Sequence, residues 1–370
     1  MKDSSNPSTR KLSKVFIYSV LIVGILVVIG AIVPEKFGAV AGSISNWVSI
    51  YFGWYYMIIS SVTLFFCIFL IFSPIGKLKL GKPHHKPEFS TRSWLMMLFS
   101  AGMGIGMIFY STSEPIAHYF APATADPETE EATLEAIRAT IFHWGAHAWG
   151  MFGAVALALA YFQFRKGESG LLSKTLRPIL GDRVDGPIGV LIDVLTVFAT
   201  VIGVAVSLGI GTTQINGGLN YLFGVPINIG VQGLIITVVT ILFLASAWSG
   251  LSKGIKYLSN LNTLLAAILL IAILILGPTL LILNMLPTAA GEYFNTFISR
   301  TLDAAPLNSG KNDWLQSWTI YYWAWWLSWS PFVGIFIARV SKGRTVREFI
   351  LGLLIVPTSI GIIWFTVFGV

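Results

Sequence analysis

Nine long apolar runs divide the chain, and short polar segments separate them. Each run is close to the roughly 20 residues that an α-helix needs to cross the hydrocarbon core of a bilayer. The apolar residues are continuous rather than alternating, which favours membrane-spanning helices over the strands of a membrane β-barrel. The predicted spans are residues 15–33, 50–72, 94–113, 142–162, 188–208, 229–247, 261–284, 318–338 and 349–370.

The composition agrees with a chain whose main solvent is lipid. Of its 370 residues, 55% are hydrophobic and 11% are charged, whereas about 25% are charged in a soluble domain. This excludes a disordered protein and an ordinary cytosolic enzyme. The single cysteine, Cys67, lies inside the second span, so an intrachain disulfide is also excluded.

The basic residues predict the orientation. Counting loops with the N-terminus inside the cell, 20 of the 24 Lys and Arg residues fall in the inner segments. Because cytoplasmic loops of membrane proteins carry an excess of Lys and Arg, the N-terminus is predicted to be cytoplasmic. The net charge of +7 is thereby explained without a nucleic acid partner.

Two outer segments and the chain end carry further expectations. The acidic segment 114–135 is interpreted as a solvated loop, with weak concentration of cations at the outer mouth as the alternative.

Residues 288–305 are too polar to span the membrane, and their apolar residues recur at helical spacing. They predict an amphipathic helix at the outer surface, with an apolar face of Tyr293, Phe294, Phe297, Ile298 and Leu302. The last span ends at Val370 without a polar tail, so we expect the sequence to be part of a longer chain.

The third span contains three glycines at alternate positions, Gly102, Gly104 and Gly106. Each costs about 1 kcal/mol of helix propensity relative to alanine, and this spacing does not form one helix face. The pattern predicts unwound backbone near the bilayer midplane, which is tolerated only where it lines a cavity or is buried in protein. Its free N–H groups are then suited to an anionic group and its carbonyls to a cation. Close helix packing is the alternative.

The eighth span is rich in tryptophan. Trp318 fits an interfacial position, whereas Trp325, Trp326 and Trp329 lie seven to eleven residues further along. At 1.5 Å per residue they are roughly 10–17 Å deeper. Three indoles at this depth predict an aromatic cage for a quaternary ammonium group, with aromatic packing as the alternative.

The fourth span adds His143, Trp144, His147, Trp149 and Phe152. The two histidines have i, i+4 spacing, but they are interpreted as core or interfacial residues because no acid or cysteine accompanies them. Trp144 and Trp149 are five residues apart, so a regular helix does not direct both at one point. Trp149 and Phe152 are expected to face the same way.

These residues identify a resemblance to the betaine/carnitine/choline transporter family, most closely to its glycine betaine transporters. The resemblance runs from about residue 50 to the end and is carried by the stretches AGMGIGMIFYSTSEP (101–115), FHWGAHAW (142–149) and WTIYYWAWWLSWSPFVGIFIARVSKGRTVR (318–347). It implies an all-α integral membrane protein with a LeuT-like inverted-repeat fold, of whose twelve expected spans nine are present. The implied organisation is a tail and two leading helices (1–93), a first five-helix repeat (94–286), an outer loop with the amphipathic helix (287–317) and the start of a second repeat (318–370).

The resemblance also implies a function. It is secondary active uptake of a trimethylammonium zwitterion, most often glycine betaine as an osmoprotectant, by Na⁺ symport across the plasma membrane. No cofactor other than the coupling ion and no enzymatic activity are expected, and the assembly is expected to be a homotrimer in the lipid bilayer. Carnitine or choline transport, coupled to H⁺ or by exchange, is the alternative within the family.

The resemblance assigns roles by position. Trp325, Trp326 and Trp329 would form the cage, and the glycine stretch would hold the substrate carboxylate. Trp144, Trp149 and position 152 would line the cytoplasmic route; position 152 is Tyr in betaine-carrying relatives and Phe152 here. At the position of Gly106, choline-carrying relatives have Asp.

Two ion positions follow from the same resemblance. The backbone carbonyls of Ser100 and Met103 would ligate one Na⁺. A second ion would use Thr200 and Phe332, but its other threonine is Val204 here. Carnitine exchangers carry an Arg in the fifth span in place of Na⁺, and this span has none, which favours ion coupling.

Two other function classes lack support in the sequence. A channel would need a repeated pore motif or rings of like residues. A membrane enzyme would need nucleophile, base or metal ligands clustered at one depth. Asp193 is the only acidic residue that lies well inside a predicted span. It has either a functional role or an interfacial capping role.

Overall fold

Helices account for nearly all of the regular structure in the computed structural model, which describes residues 12–102, 104–248, 254 and 256–370. Within these residues there is one isolated β-bridge, between Lys79 and Thr345. The α-helices are α1 (Lys14–Ile32), α2 (Pro34–Phe72), α3 (Thr91–Gly102), α4 (Ile105–Phe120), α5 (Glu130–Trp144), α6 (Ala146–Ala160), α7 (Leu172–Thr175), α8 (Arg177–Leu180), α9 (Pro187–Phe223), α10 (Ile229–Trp248), α11 (Lys256–Leu276), α12 (Thr279–Thr301), α13 (Ser309–Leu315), α14 (Tyr321–Val340) and α15 (Val346–Gly369).

Seven stretches of the described residues are long and apolar enough to cross a membrane: 14–32, 34–72, 130–166, 187–223, 229–248, 257–276 and 346–369. The predicted spans 94–113 and 318–338 do not appear as long uniform apolar helices. The first is divided between α3 and α4, and the second is α14, which contains Pro331 and follows a π-helical turn over Gln316–Ile320. The predicted all-helical membrane architecture is confirmed, while the nine-span count stays a prediction.

The centre of the bundle is α6, which lies between α2 and α14. A β-carbon added at Gly150 of α6 would lie 2.9 Å from the Leu64 α-carbon of α2, and one at Gly334 of α14 would lie 3.3 Å from the Ala156 nitrogen. Glycine at these contacts lets the backbones approach closely, which is how helices associate where lipid provides no hydrophobic drive.

The fourth span is longer than predicted and is interrupted at Gly145, between α5 and α6. A side chain at Gly145 would collide with Tyr293 of α12, whose hydroxyl oxygen lies 2.7 Å from the added β-carbon position. That hydroxyl accepts a hydrogen bond from the Ala146 N–H at 3.1 Å. The contact with α12 therefore satisfies a backbone donor beside the interruption.

Three of the loops that the charge pattern assigns to the cytoplasm lie together in the structure. The segment 78–81 pairs with 343–346 through backbone hydrogen bonds, among them Leu80 N–H to the Arg344 carbonyl at 2.8 Å. Arg165, from the third predicted inner loop, donates to the Gly81 carbonyl. Three predicted inner loops are thus on one side of the bundle, as the alternation of charges requires.

The outer segments differ from the prediction. The helix expected at 288–305 begins earlier, at Thr279, and two turns of it precede the predicted start. Its predicted apolar face is divided: Tyr293 is buried and Phe297 partly buried, while Phe294, Ile298 and Leu302 are exposed. With 3.6 residues per turn, the five residues do not lie on one helix face, and only the stripe that contains Ala289 and Tyr293 packs against the protein.

The solvated-loop interpretation of 114–135 is wrong for two of its acids. Glu114 of α4 and Glu135 of α5 are buried, because each lies on a helix face that packs against the protein. Glu135 accepts hydrogen bonds from the Ala123 and Ala125 N–H groups and the Thr124 hydroxyl. The other acids of this segment are exposed, as expected: Asp126, Glu128, Glu130 and Glu131.

Candidate functional site

The glycine-rich part of the third span is interrupted as a helix. Helix α3 ends at Gly102, α4 begins at Ile105, and Gly104 between them has an extended backbone (φ −91°, ψ −176°). The predicted unwinding is therefore confirmed at Gly104 but is shorter than predicted, since Gly106 already belongs to α4. Met103 lies outside the described residues.

The interruption opens onto a cavity of ≈ 450 Å³, a size typical of small-molecule sites. Its walls come from α3, α4, α5, α6, α9, α11 and α14. None of the described residues that line it is charged; they are Ser100, Gly104, Gly106, Met107, Ile108, Trp144, Phe152, Ser207, Leu258, Ser259, Asn262, Trp325, Trp326 and Trp329.

Four tryptophans form one wall of this cavity. The Trp325 and Trp326 rings are stacked, with centroids 4.8 Å apart and planes 11° apart. Trp144 meets the Trp326 ring edge to face at 4.9 Å, and Trp329 meets the Trp325 ring perpendicularly at 6.2 Å. The structure thus brings the three predicted tryptophans of the eighth span together with Trp144, and presents ring surfaces of the kind that attract a quaternary ammonium group.

Phe152 lines the main cavity and also a small adjoining cavity of ≈ 20 Å³. Trp149 lines only the small cavity of these two, together with Trp144 and Trp326. A regular helix would direct Trp144 and Trp149 to different places, but the helix is interrupted between them at Gly145. The expectation that the two side chains do not meet is therefore wrong. Trp149 and Phe152 do face together, with ring centroids 5.8 Å apart.

The glycines have unequal surroundings. A β-carbon at Gly106 would lie 3.1 Å from Trp325 and 3.4 Å from Trp144, so it would point between two rings of the aromatic wall. A β-carbon at Gly104 would meet nothing within 4 Å. Gly102 is the last residue of α3.

Of the expected ion ligands, Ser100 lies at the cavity. Its hydroxyl donates to the Ser259 carbonyl at 3.1 Å and is 3.4 Å from the Thr263 hydroxyl oxygen of α11. Thr200 donates to the Thr196 carbonyl within its own helix, and Phe332 packs against Trp329 with ring centroids 6.0 Å apart. Neither Thr200 nor Phe332 is among the described cavity-lining residues.

Sequence reasoning missed the polar residues that other helices contribute. Ser207 of α9 and Ser259 and Asn262 of α11 line the cavity. Asn262 carried a usable signal, because an amide inside an apolar span needs a polar partner or a wet cavity. The serines carried none, since serine occurs on helix faces of many kinds.

Sequence reasoning also missed a buried polar cluster behind the aromatic wall. Glu114 is fully buried, with Oε1 2.6 Å from His143 Nδ1 and 3.3 Å from His118 Nε2. The interpretation of His143 as a residue without an accompanying acid is therefore wrong. The available signal was His118, four residues after Glu114 and hence on the same helix face.

His147 and Asp193 have structural partners. His147 Nε2 lies 2.9 Å from the Thr301 hydroxyl oxygen. Asp193 accepts hydrogen bonds from the Ser173 N–H at 3.1 Å and the Ser173 hydroxyl at 2.8 Å. Asp193 therefore attaches the short helix α7 to α9. This agrees with the capping role rather than with the functional role.

The sequence matches the family model described as BCCT, betaine/carnitine/choline family transporter, over residues 14–370. The chain belongs to this family. It is therefore a membrane transporter and not an enzyme.

Characterised relatives differ in substrate. The chain is 54% identical to the glycine betaine transporter OpuD of Bacillus subtilis, over 98% of this chain and 71% of that protein. It is 44% identical to an ectoine/hydroxyectoine transporter of Virgibacillus pantothenticus, over 98% and 72% of the two chains. It is 40% identical to the high-affinity choline transport protein of Escherichia coli K12, over 89% and 48%. Membership of the family therefore does not by itself identify the substrate.

The surroundings of Gly104 generate a test of the cavity. We expect Gly104→Cys in the solubilised protein to react readily with a polar thiol reagent, because this position faces open space. The single native cysteine, Cys67, is 1% exposed and provides a low background. Gly361→Cys is the matched control, since its added β-carbon also meets nothing within 4 Å but the residue is buried. Equal, slow labelling of both would favour close helix packing at the glycine stretch.

Proposed function

We propose that this protein takes up glycine betaine, as an osmoprotectant, by Na⁺ symport across the plasma membrane. One observation carries the proposal: a single cavity combines a tryptophan wall with bare glycine backbone, and its described lining has no charged side chain. A zwitterion brings a cation and an anion of equal charge. A site without fixed charge, with separate features for each end, suits such a molecule.

The tryptophan wall suits the cationic end. A trimethylammonium group has no N–H donor, so hydrogen bonding does not recognise it, whereas an aromatic face attracts it through the ring quadrupole. Trp325 and Trp329 are half-buried and line the cavity, and Trp326 is held by its Nε1–H, which donates to the His143 carbonyl at 2.9 Å. The Trp326 ring is therefore fixed before a ligand arrives.

The first turn of α4 suits the carboxylate end. The N–H groups at a helix start have no intrahelical acceptor, and the helix dipole adds positive potential there. Gly104 and Gly106 lie at this start and leave its backbone uncovered. We place the substrate carboxylate there and the trimethylammonium group against the tryptophans.

Choline transport is the second candidate, because a choline transporter is among the relatives. Choline carries the cation without the carboxylate, so its site gains from a fixed negative charge. Among the described cavity-lining residues no acid supplies one. The cavity therefore favours the zwitterion.

Coupling to Na⁺ is proposed on chemical grounds. A zwitterion carries no net charge, so the membrane potential alone does not concentrate it. Ser100 lies where α3 meets α11, with the Ser259 carbonyl and the Thr263 hydroxyl at hand, and these are the hard oxygen ligands that Na⁺ accepts. The fifth span carries no Arg to replace the ion.

The wider assembly follows the same family pattern. We propose a cytoplasmic N-terminus, two inverted repeats with the first over residues 94–286, and a homotrimer in the bilayer. The grouping of the basic loops on one side of the bundle supports the orientation.

The cage generates the first prediction here. Trp329→Leu and Trp326→Leu keep an apolar side chain but remove the π face, so each should weaken glycine betaine binding by about 1–2 kcal/mol, roughly five- to thirty-fold in Kd. Trp364→Leu is a suitable control, since Trp364 is buried and is absent from the lining of this cavity. Unchanged affinity in correctly inserted Trp329→Leu and Trp326→Leu proteins would contradict the cage.

The coupling ion generates a second prediction. In cells expressing the native gene, replacement of external Na⁺ by K⁺ should abolish accumulation of labelled glycine betaine. Accumulation that persists without Na⁺ and collapses only with a protonophore would show H⁺ coupling instead.

Gly106 generates a third prediction. Gly106→Asp places a carboxylate between Trp144 and Trp325, so it should weaken glycine betaine uptake at least tenfold and give measurable choline uptake. Gly106→Asn is the matched control, because it has the same size without the charge and should lose betaine uptake without gaining choline uptake. Wild-type betaine uptake by Gly106→Asp would show that Gly106 does not face the substrate.

A further inference from the structure

The buried cluster around Glu114 lies directly behind the tryptophan wall. Glu114 belongs to α4, ten residues after the interruption at Gly104, and its side chain has no exposed surface. A carboxylate without water needs hydrogen-bond donors in compensation. No Lys or Arg of the described residues forms an ion pair with it; its ionic contacts are with His118 and His143.

Two of the compensating donors belong to aromatic rings of the cavity region. The Trp144 indole Nε1–H donates to Oε2 at 2.9 Å, and the Tyr322 hydroxyl donates to the same oxygen. Trp144 lines the cavity and packs against the Trp326 ring at a steep angle. Tyr322 stacks on Trp325 with ring centroids 5.8 Å apart and planes 27° apart. One carboxylate therefore holds two rings that pack against the proposed cage.

The other carboxylate oxygen of Glu114, Oε1, also has hydrogen-bond donors. Because a carboxylate accepts only, His143 Nδ1 must carry the hydrogen that points at Oε1, and a neutral His143 then accepts at Nε2 from the Thr319 hydroxyl, 2.9 Å away. His118 Nε2 completes the set. Four donors occupy the roughly four acceptor positions of the carboxylate, and they come from α4, α5 and α14.

Glu114, His118 and His143 also have the composition of a metal site, with ligand atoms within 4.8 Å of one another. The arrangement argues against that use. Oε2 is directed at two aromatic donors, and no described side chain of the cluster is exposed to solvent as a route for an ion. The set of donors is better suited to a carboxylate that holds the rings in place than to a metal-binding site.

We propose that Glu114 is a positioning residue for substrate recognition, which acts through Trp144 and Tyr322 by holding both rings in the orientation that the tryptophan wall requires. The inference rests on the proposed function, since it assigns Glu114 to the binding of the same quaternary ammonium substrate. A neutral side chain at this position leaves at least one of the four donors without an acceptor, so the rings lose their fixed orientation.

The test measures glycine betaine binding by intrinsic tryptophan fluorescence on purified protein, and uptake kinetics in cells expressing the native gene. Glu114→Gln keeps the size but replaces an acceptor by a donor, and it should raise Kd at least tenfold. Uptake KM should rise by the same factor, while the maximal rate per inserted molecule stays within twofold. A purely structural defect would instead reduce the number of inserted molecules and leave KM unchanged.

A milder variant and a double mutant show whether the effect passes through the rings. Tyr322→Phe keeps the ring and removes its hydrogen bond to Glu114, so it should raise Kd several-fold in the wild-type background. In the Glu114→Gln background the same change should have little further effect, because the bond is already lost. If Glu114→Gln fails to insert, the Kd of Tyr322→Phe alone decides: a value within twofold of wild type overturns the proposal.

Thr301→Val is the matched control. It removes the hydrogen bond between Thr301 and His147, which is equally buried but whose histidine stacks on Trp323 rather than on the tryptophan wall. It should lower thermal stability without changing Kd.

Besides that Tyr322→Phe result, three others would overturn the inference. The first is a Kd for Glu114→Gln within twofold of wild type, and the second is a Thr301→Val effect as large as that of Glu114→Gln. The third is loss of binding on EDTA treatment that Zn²⁺ restores, which would make the cluster a metal site. Absence of glycine betaine binding in the wild-type protein would instead overturn the proposed function.

Discussion

A helix interrupted inside the membrane exposes backbone N–H and C=O groups that lipid does not satisfy, and the rest of the site is organised around this constraint. The interruption lies at Gly104, between α3 and α4. Such backbone persists only where protein or a polar cavity covers it. Here α5, α6, α9, α11 and α14 surround the interruption and leave a cavity beside it. The same feature that is costly in lipid becomes a place for an anionic group.

A second interruption repeats this principle at Gly145. It separates Trp144 from Trp149, so that both reach the neighbourhood of Trp326 although a continuous helix would direct them apart. The Tyr293 hydroxyl accepts from the Ala146 N–H, and the His143 carbonyl accepts from Trp326 Nε1–H. Backbone groups beside the break thereby help to fix one ring of the cavity wall and the helix α12.

Much of this arrangement could be predicted from local sequence. Continuous apolar runs predicted the membrane helices, alternate glycines predicted the interruption, and clustered tryptophans at depth predicted the aromatic wall, because each signal lies within one segment. The length of the unwound segment was overestimated, since packing allows Gly106 to join α4.

What could not be predicted depends on contacts between distant segments. Glu114 was assigned to a solvated loop because the end of the apolar pattern gave no indication that α4 extends to Phe120. Its partners Trp144 and Tyr322 are 30 and 208 residues away along the chain. The serines and Asn262 of the cavity lie on α9 and α11, whose inward faces have no distinctive spacing.

The central claim is that aromatic faces recognise the positive charge of the substrate rather than only its shape. The most direct measurement compares the binding of glycine betaine with that of 3,3-dimethylbutanoate, in which carbon replaces the quaternary nitrogen, to the purified protein and to Trp329→Leu. The account predicts that the wild-type protein prefers glycine betaine by about tenfold or more, consistent with a cation–π contribution of about 1–2 kcal/mol, and that Trp329→Leu reduces this preference. Equal affinity of the wild-type protein for the two ligands would contradict the account.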